Sequence, residues 1–318
     1  TLARRLETDG PLEPAWRRAD MADTLTQAIW GQGFAPPTFS GEFDIVSQAD
    51  SVDTLAPLVG DLDHLTNGRL ILGVGVSGPQ VVEGWYGQRF AKPLARTREY
   101  IDIVRQVWAR EAPVTSAGPH YPLPLSGEGS TGLGKPLKSI VHPLRSDIPI
   151  MLGAEGPKNV ALAAEICDGW LPLFYFPKLA GMYNEWLDEG FARPGARRSR
   201  EDFEVCATAQ IIVTDDRATS LSQIKPVLAL YMGGMGAEET NFHADLYRRM
   251  GYAEVVDDVT RLFRSGRKEE AAAAVPDEVV DDSAIIGDID YVRKQIGVWA
   301  AAGVTMMVVA GHNAEHVA

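Results

Sequence analysis

The sequence predicts an α/β protein built around a parallel sheet, and three observations support this fold class. From residue 61 onward, short apolar runs alternate with segments of helical periodicity, and repeated strand–helix–strand units build parallel sheets. The chain has 318 residues, a length that an α/β barrel uses as one domain. It is 45% hydrophobic and 23% charged, so it can bury a large core.

The first clear strand–helix pair begins after residue 68. Residues Arg69–Val76 form a short apolar run between turn residues, which suits a strand buried on both faces. A helix is predicted from Pro93 to Arg110, because residues suited to a buried face recur at steps of three and four. These residues are Leu94, Thr97, Ile101, Val104 and Trp108.

Two long segments interrupt the alternation of strands and helices. Nine Gly or Pro residues lie between Gly118 and Pro136, so residues 112–147 are predicted to form a long loop near the working end of the fold. Residues 218–290 are predicted to form a helical insertion. The other predicted elements are strands at Ile148–Leu152, Gly169–Phe174, Phe203–Val213 and Val304–Ala310, and helices at Pro157–Ile166 and Tyr291–Ala301. This makes five strands after residue 68.

The N-terminal third fits the alternation poorly. A closed eight-stranded barrel needs three more βα units, about 90 residues, whereas about 68 residues precede the first clear strand. Phe43–Val46 is the one convincing strand candidate there, and Leu55–Leu62 is either a short helix or a short strand. We therefore predict a single domain over residues 1–318 in which residues 1–60 are atypical or incomplete.

Charge and composition exclude several classes of protein. With 43 acidic and 30 basic residues the net charge is −13, which repels nucleic-acid backbones. No apolar run approaches the ~18 residues of a membrane helix, and the first residues do not resemble a signal peptide. Cys167 and Cys206 lack metal or redox spacing and are expected to be buried free thiols. We expect a cytoplasmic protein without nucleic-acid or membrane partners.

Two glycine-rich corners follow predicted strands. The first, Gly73–Pro79, contains G-x-G but lacks the third glycine and the later acidic residue of a dinucleotide-binding fingerprint. It is either a tight strand-to-helix turn or a ligand contact. The second corner, Gly153–Gly156, opens a helix at Pro157, and unpaired N–H groups at such a helix start form an anion site. A plain βα loop is the alternative for this corner.

Few other side chains are candidates for a catalytic or binding role. The six histidines lack metal-ligand spacing, and no metal site is predicted. Asp168 opens a strand and is interpreted as a turn residue. Glu83, Trp85 and Tyr86 follow the first corner, where aromatic side chains either wall a planar ring or pack in the core.

Several motifs, in order, resemble the bacterial luciferase-like flavin and deazaflavin oxidoreductases over about residues 61–311. The matching segments are Leu62–Arg69, Leu72–Pro79, Lys92–Tyr100, Gly156–Leu162, Ala164–Glu165, Asp168–Pro172 and Ala302–Thr305. The stretch Val76–Gly87 is most similar to the branch that uses coenzyme F420, an 8-hydroxy-5-deazaflavin.

The resemblance implies a TIM-type (β/α)8 barrel whose cofactor ring lies at the C-terminal ends of the strands. It implies that the backbone of the first corner holds the cofactor side chain and that the second corner holds its phosphate. The residues so assigned are Gly75, Val76, Ser77 and Gly78, then Gly153, Ala154, Glu155 and Gly156. Trp85, Tyr86 and Trp170 are candidate walls for the ring or the substrate, and the loop 112–147 would cover the site.

The family's catalytic acid or histidine has no match in residues 1–60, and Gly78-Pro79 stands where members carry an acid after the fourth strand. Glu83 is the nearest carboxylate, so it is a weak candidate and the proton donor stays unassigned. The resemblance thus predicts an F420-dependent oxidoreductase acting on a small organic molecule, as a homodimer. The alternatives are an FMN-dependent monooxygenase and a cofactor-binding protein without catalysis on a degenerate barrel.

Overall fold

The computed structural model describes residues 43–44, 52–235 and 241–310. Within these ranges seven strands form one sheet, and every pair of neighbours is parallel. The strands are β1 Phe43–Asp44, β2 Leu72–Gly75, β3 Ile150–Gly153, β4 Gly169–Leu171, β5 Glu204–Val213, β6 Ala284–Gly287 and β7 Met306–Ala310. The predicted α/β class with a parallel sheet is confirmed.

Helices connect the strands and cover the sheet. The first six are α1 Val52–Leu65, α2 Pro79–Gly84, α3 Pro93–Ala109, α4 Pro157–Ile166, α5 Ala180–Phe191 and α6 Arg217–Gly233. The others are α7 Phe242–Arg249, α8 Ala253–Arg264, α9 Lys268–Ala273, α10 Asp277–Ser283 and α11 Ile289–Ala301. A short 3-10 turn, Pro177–Leu179, precedes α5. Proline stands in the first turn of α2, α3 and α4, where its missing N–H costs no helix bond.

The strands pair in the order β1-β2-β3-β4-β5-β6. The long strand β5 has three partners: Glu204–Val205 pair with β4, Cys206–Gln210 pair with β7, and Gln210–Val213 pair with β6. Among the described residues, β1 ends one side of this sheet, so the ring of strands is not closed there. The Phe43–Val46 strand candidate is observed at Phe43 and Asp44, where it pairs with β2.

The structure differs from the sequence-based expectation at two strands. After residue 68 there are six strands and not five, because Ala284–Gly287, all four residues buried, was included in the helical insertion. The helices α6 to α10 therefore end at Ser283, and a buried strand follows them directly. Strand β4 ends at Leu171 and does not reach Phe174, since Pro172 has no N–H to continue the ladder.

Most other predicted elements are confirmed. Helix α4 has the predicted bounds, Pro157–Ile166, and α3 ends one residue before the predicted end. Residues Leu55–Leu62 belong to a helix, α1, and not to a strand. The two cysteines are free and buried, as expected, and burial raises the pKa of Cys167 to about 12.

The packing of helices against the sheet produces a continuous apolar core. Helices α4 and α5 approach closely at Gly190, where a Cβ atom would lie 2.1 Å from the Ala161 carbonyl oxygen. Helix α3 is joined to α1 by Trp108, whose indole N–H donates to the Ala56 carbonyl over 2.8 Å. Because helices connect these parallel strands, the carboxyl ends of neighbouring strands lie at one edge, which is the natural place for a site.

The long loop 112–147 runs along α3 and α1. Its middle is tied to α3, since Glu99 accepts the backbone N–H groups of His120 and Tyr121 at 2.9 and 3.0 Å. Its end is tied to α1 by Arg145, which donates to the buried carboxylate of Asp63 at 3.0 and 2.5 Å. The loop therefore extends beside the first turns of α3, close to the ends of the strands.

Two features are absent from the part of the chain that the structure describes. No helix there is long and apolar enough to cross a lipid bilayer. The same part of the chain contains no group of three or more His, Cys, Asp or Glu side chains placed to hold a metal ion.

Candidate functional site

The two glycine corners lie side by side at the C-terminal ends of β2 and β3. In the parallel ladder Gly75 is the register partner of Gly153, so both chains leave the sheet at the same edge. A Cβ atom on Gly153 would lie 3.4 Å from the Val74 carbonyl oxygen and 3.8 Å from the Gly75 Cα. The structure thus joins two segments that are 78 residues apart into one shallow backbone surface.

The first corner is a sharp turn with a strained residue. Ser77 has φ +53°, a left-handed conformation that costs a non-glycine residue about 1 kcal/mol. Gly78 follows as the N-cap of α2 and its carbonyl accepts the N–H groups of Val81 and Val82. Such strain at a strand end is typical of a functional turn. The turn directs the backbone of Val76 and Ser77 toward the edge that the second corner shares.

The second corner is a helix start with open space in front of it. Gly156 caps α4 with φ −98° and ψ 156°, and a Cβ atom there would meet no atom within 4 Å. The Gly156 carbonyl accepts the N–H groups of Asn159 and Val160. Pro157 has no N–H, so Lys158 supplies the first N–H of the helix, and this position has no acceptor within the helix. The arrangement suits an anion.

Glu155 lies within the second corner, but its carboxylate is directed away from the helix start. Its Oε1 accepts the backbone N–H of Leu173 over 2.8 Å, in the segment that follows β4. Burial raises the pKa of Tyr183 and of Tyr247, and the negative charge of Glu155 raises them further. The carboxylate is therefore held by the β4 side of the site, where it does not compete with an anion for the start of α4.

The three candidate aromatic walls occupy different places. Trp170 is only 1% exposed, and its indole N–H donates to the Ala154 carbonyl over 2.7 Å. It packs in the core against Tyr183, at 5.1 Å between ring centroids, so it supports the second corner from beneath and presents no open wall. Trp85, 77% exposed, and Tyr86 lie after α2 with ring centroids 6.4 Å apart. Trp85 and Tyr86 thus form an exposed aromatic pair directly after α2.

Glu83 has a local role in the structure. It is exposed on α2, and its Oε1 accepts the backbone N–H of Phe90 over 3.1 Å. This bond closes the short connection between α2 and α3. The geometry adds no argument for Glu83 as a proton donor, and that role stays a weak prediction.

The long loop reaches the first corner through one aromatic side chain. Tyr121 and Val76 line the same small cavity, of about 30 Å³, together with Phe90. Tyr121 is held there by Arg96, which donates to its hydroxyl oxygen at 3.0 and 3.3 Å. The loop 112–147 is therefore anchored next to the first corner.

An aromatic cluster between the helical insertion and the segment after β4 was not expected from the sequence. His243 on α7 packs against Phe174 and Tyr231, with ring centroids 5.7 and 5.0 Å apart. Burial lowers the pKa of His243 to about 4, so it is neutral at physiological pH. Spacing along the chain carries no signal for this cluster, because its members come from three separate elements.

The chain matches known proteins over most of its length. Residues 53–306 match the model of the family described as luciferase-like monooxygenase. A Mycobacterium tuberculosis protein named "Putative coenzyme F420-dependent oxidoreductase" is 81% identical over 296 residues, which cover 93% of this chain and 85% of that protein. The 5,10-methylenetetrahydromethanopterin reductase of Archaeoglobus fulgidus is 31% identical over 80% of this chain and 70% of that enzyme.

Solved structures show the same fold. The coenzyme F420-dependent tetrahydromethanopterin reductase of Methanopyrus kandleri superposes with a TM-score of 0.66 at 23% identity, over 82% of this chain and 74% of that one. An F420-dependent secondary alcohol dehydrogenase superposes with a TM-score of 0.58 at 14% identity, over 81% and 69%. The parallel sheet is thus similar to the sheet of these proteins, and the family match covers both glycine corners. The chain belongs to the luciferase-like monooxygenase family.

Proposed function

We propose that this protein is a coenzyme F420-dependent oxidoreductase that transfers a hydride between the deazaflavin and a small organic substrate. The observation that carries the proposal is the pairing of Gly75 with Gly153, which places the turn of the first corner beside the helix start of the second. The 81% identity to a protein named for coenzyme F420 supports the choice of cofactor.

The residues at the paired corners fit a phosphate-bearing cofactor. Neither Gly75 nor Gly156 has an atom within 4 Å of the position of an added Cβ, so both leave room above the backbone. The start of α4 offers the N–H of Lys158 and the positive end of the helix dipole to a phosphate. The carboxylate of Glu155 accepts a hydrogen bond from the Leu173 N–H, so it does not occupy the start of α4.

The chain binds and orients the cofactor and excludes water, while the deazaflavin supplies the carbon that accepts or donates the hydride. The backbone of Val76 and Ser77, in the first corner, would hold the part of the cofactor that links its ring to its phosphate. Trp85 and Tyr86 would cover the ring from the rim of the site, and the loop anchored by Tyr121 would limit access of water.

Equilibrium titration with F420 and with FMN, followed by fluorescence, tests the proposal. We expect saturable binding of F420, and binding of FMN at least about 100-fold weaker, a difference of roughly 3 kcal/mol. Tight binding of FMN without binding of F420 would favour a flavin monooxygenase. If neither cofactor binds at high concentration, the proposal is overturned.

The homodimeric state belongs to the same proposal and rests on the family resemblance. Light scattering of the purified protein, at a concentration well above that used for assays, gives the mass directly. A mass of two chains supports the dimer, and a mass of one chain overturns this part of the proposal without affecting cofactor binding.

A further inference from the structure

The outer part of the long loop 112–147 exposes large apolar side chains. Six of them are more than one third exposed, and two are almost entirely so, since Leu133 is 85% exposed and Ile140 is 92% exposed. The other four are Leu123, Leu125, Leu137 and Leu144. Apolar residues exposed singly are ordinary on a protein surface, whereas a contiguous apolar patch marks an interaction surface.

Local pairing within the loop brings these side chains together. Two antiparallel bridges place Leu123 and Leu137 on either side of residues 114–116. An added Cβ on Gly134 would lie 3.5 Å from the Leu125 carbonyl oxygen, so the segment around Leu137 contacts the segment around Leu125. The exposed side chains therefore form one surface, which we call the loop patch. It consists of Leu123, Leu125, Leu133, Leu137, Ile140 and Leu144.

The loop patch has the size of one side of a protein interface. Residues 123–144 are 22 residues, and a standard interface uses about 20–30 residues a side. When two identical chains meet across a twofold axis, the same surface is buried on both. Each apolar side chain of the patch then contributes twice to one dimer, so a second copy of the chain gains more here than a partner that covers the patch once.

The charges on the loop patch also favour a second copy. A net charge of −13 makes two copies repel each other, but residues 123–144 carry Lys135 and Lys138 against Glu128 and are not acidic. Charges of both signs on one patch can pair across a twofold axis. Lys138 also donates to the Glu111 carbonyl oxygen over 3.3 Å, which leaves little positive charge to attract a nucleic acid or an anionic lipid surface.

The loop patch is joined to the first corner by a short hairpin. Leu123 and Ser116 exchange both backbone hydrogen bonds, at 2.9 and 3.0 Å, and Tyr121 lies in the turn between them. Tyr121 lines the same cavity as Val76 of the first corner, and Arg96 donates to its hydroxyl oxygen. A partner that covers Leu123 therefore restrains the hairpin that carries Tyr121.

We propose that a second copy of this chain covers the loop patch, and that this contact holds the loop in place beside the first corner. Dimerisation and cofactor binding then stabilise the same hairpin, so each strengthens the other. The coupling to the cofactor rests on the proposed function, because it requires F420 at the first corner. The interface itself does not depend on the cofactor.

Light scattering over a range of protein concentrations, with F420 titrations of the same samples, tests the proposal. The variants are Leu133→Glu and Ile140→Glu, because these side chains bury almost no surface within their own chain. Val298→Glu is the matched control, since Val298 is an apolar residue of α11 that is 42% exposed. Thermal melts of all three variants show whether each is folded.

We expect wild type and Val298→Glu to be dimers. Leu133→Glu and Ile140→Glu should each raise the dissociation constant of the dimer about 30-fold or more, since the new charge enters an apolar contact twice. The resulting monomers should bind F420 about fivefold more weakly than wild type does.

A wild-type mass of one chain would overturn the proposed interface, and so would an unchanged dimer in both loop variants. An unchanged mass with a lower melting temperature would assign the loop patch to a contact within one chain, and this also overturns it. Monomeric variants that bind F420 as tightly as wild type would overturn the coupling to the site. Failure of a wild-type dimer to bind F420 would instead contradict the proposed function and leave the interface supported.

Discussion

Gly156 is informative because its own backbone does not require a glycine. Its φ of −98° and ψ of 156° are open to any residue, and an added Cβ would meet no atom within 4 Å. Gly153 is different, because an added Cβ would contact the neighbouring strand. The space in front of Gly156 is therefore empty of protein and suits a ligand that must approach the backbone closely.

We expect Gly156→Leu to abolish F420 binding without unfolding the protein. The leucine side chain would fill the space in which the phosphate is proposed to lie, and the loss of affinity should exceed about 100-fold, or roughly 3 kcal/mol. The matched control is Gly297→Leu, since an added Cβ on Gly297 of α11 also meets no atom within 4 Å. Titration and thermal melts of both variants check this. Unchanged affinity in Gly156→Leu would remove the cofactor from this corner.

His243 makes the stability of the fold depend on pH. Burial lowers its pKa from 6.5 to about 4, so the unfolded chain binds a proton that the folded chain does not bind between these values. The contribution of His243 to the free energy of unfolding is therefore fully present above pH 6.5, and it decreases as the pH falls toward 4. We expect a loss of about 1–2 kcal/mol between pH 7 and pH 5 from this residue.

Urea unfolding of wild type and of His243→Phe at both pH values isolates this contribution. The phenylalanine keeps an aromatic ring against Phe174 and Tyr231 but has no group that titrates. The variant should lose less stability than wild type between pH 7 and pH 5. Equal losses in the two proteins would show that His243 is not held neutral by the fold.

At the scale of elements, α4 and α5 form the tightest helix contact near the site. Gly190 of α5 meets the Ala161 carbonyl of α4, where a Cβ would lie at 2.1 Å. We expect Gly190→Ala to destabilise the protein by about 2 kcal/mol or more, since the two backbones must separate. Gly297→Ala, on the exposed face of α11, should instead stabilise it by about 0.5–1 kcal/mol through helix propensity. Denaturant unfolding measures both, and the same sign for the two variants would contradict this packing.

Asp168 connects β3, β4 and α3 in one buried ion-pair network. It accepts the Ile150 N–H at 2.9 Å and pairs with Arg105, Arg197 and Arg198 at 3.0, 2.9 and 2.6 Å. Burial alone would raise the pKa of Asp168, but the Ile150 N–H and the Arg105 guanidinium outweigh it and lower the pKa. The interpretation of Asp168 as a simple turn residue is therefore incomplete.

Replacing Asp168 with Asn removes the buried one of two carboxylates that the three arginines share, and leaves them only Asp147, which is 53% exposed. We expect Asp168→Asn to cost about 3 kcal/mol. Asp290→Asn is the control, because Asp290 pairs with Arg293 on the surface with 89% and 71% of the two side chains exposed, and this change should cost less than about 0.5 kcal/mol. Urea unfolding at pH 7 compares them. Similar small losses in both variants would show that the buried network contributes little.

The elements show which parts of the fold can be read from sequence. Helix α4 is predictable to the residue because Gly156-Pro157 marks its start and the strand at Gly169 follows its end. Strand β6 is missed because four apolar residues after a helix have no period of their own. The direction of Trp170 cannot be predicted either, since a strand buried on both faces has no polar side to orient it.

Across the whole molecule, the sequence locates each half of the candidate site but not their contact. Both glycine corners are visible as local patterns, whereas the register of Gly75 with Gly153 depends on pairing across the helices and the long loop between them. The inward direction of Glu155 depends in the same way on Leu173, after β4. Long-range pairing of this kind is set by the assembled sheet, which no local window contains.

The charge of the whole molecule and the local charge of the candidate site differ in sign. A net charge of −13 makes the molecule as a whole repel acidic ligands, so an acidic cofactor must be held by local positive features. The structure supplies one at the start of α4. The proposed site is thus the exception to the overall charge.

A crystal structure of the protein with F420 shows whether the paired corners hold the cofactor. We predict a phosphate oxygen at the start of α4, about 2.8–3.2 Å from the backbone nitrogen of Lys158 and over the Cα of Gly156. We also predict that the deazaflavin ring lies at the edge where β2 and β3 end. A phosphate bound elsewhere, with the space in front of Gly156 occupied by solvent, would contradict this placement.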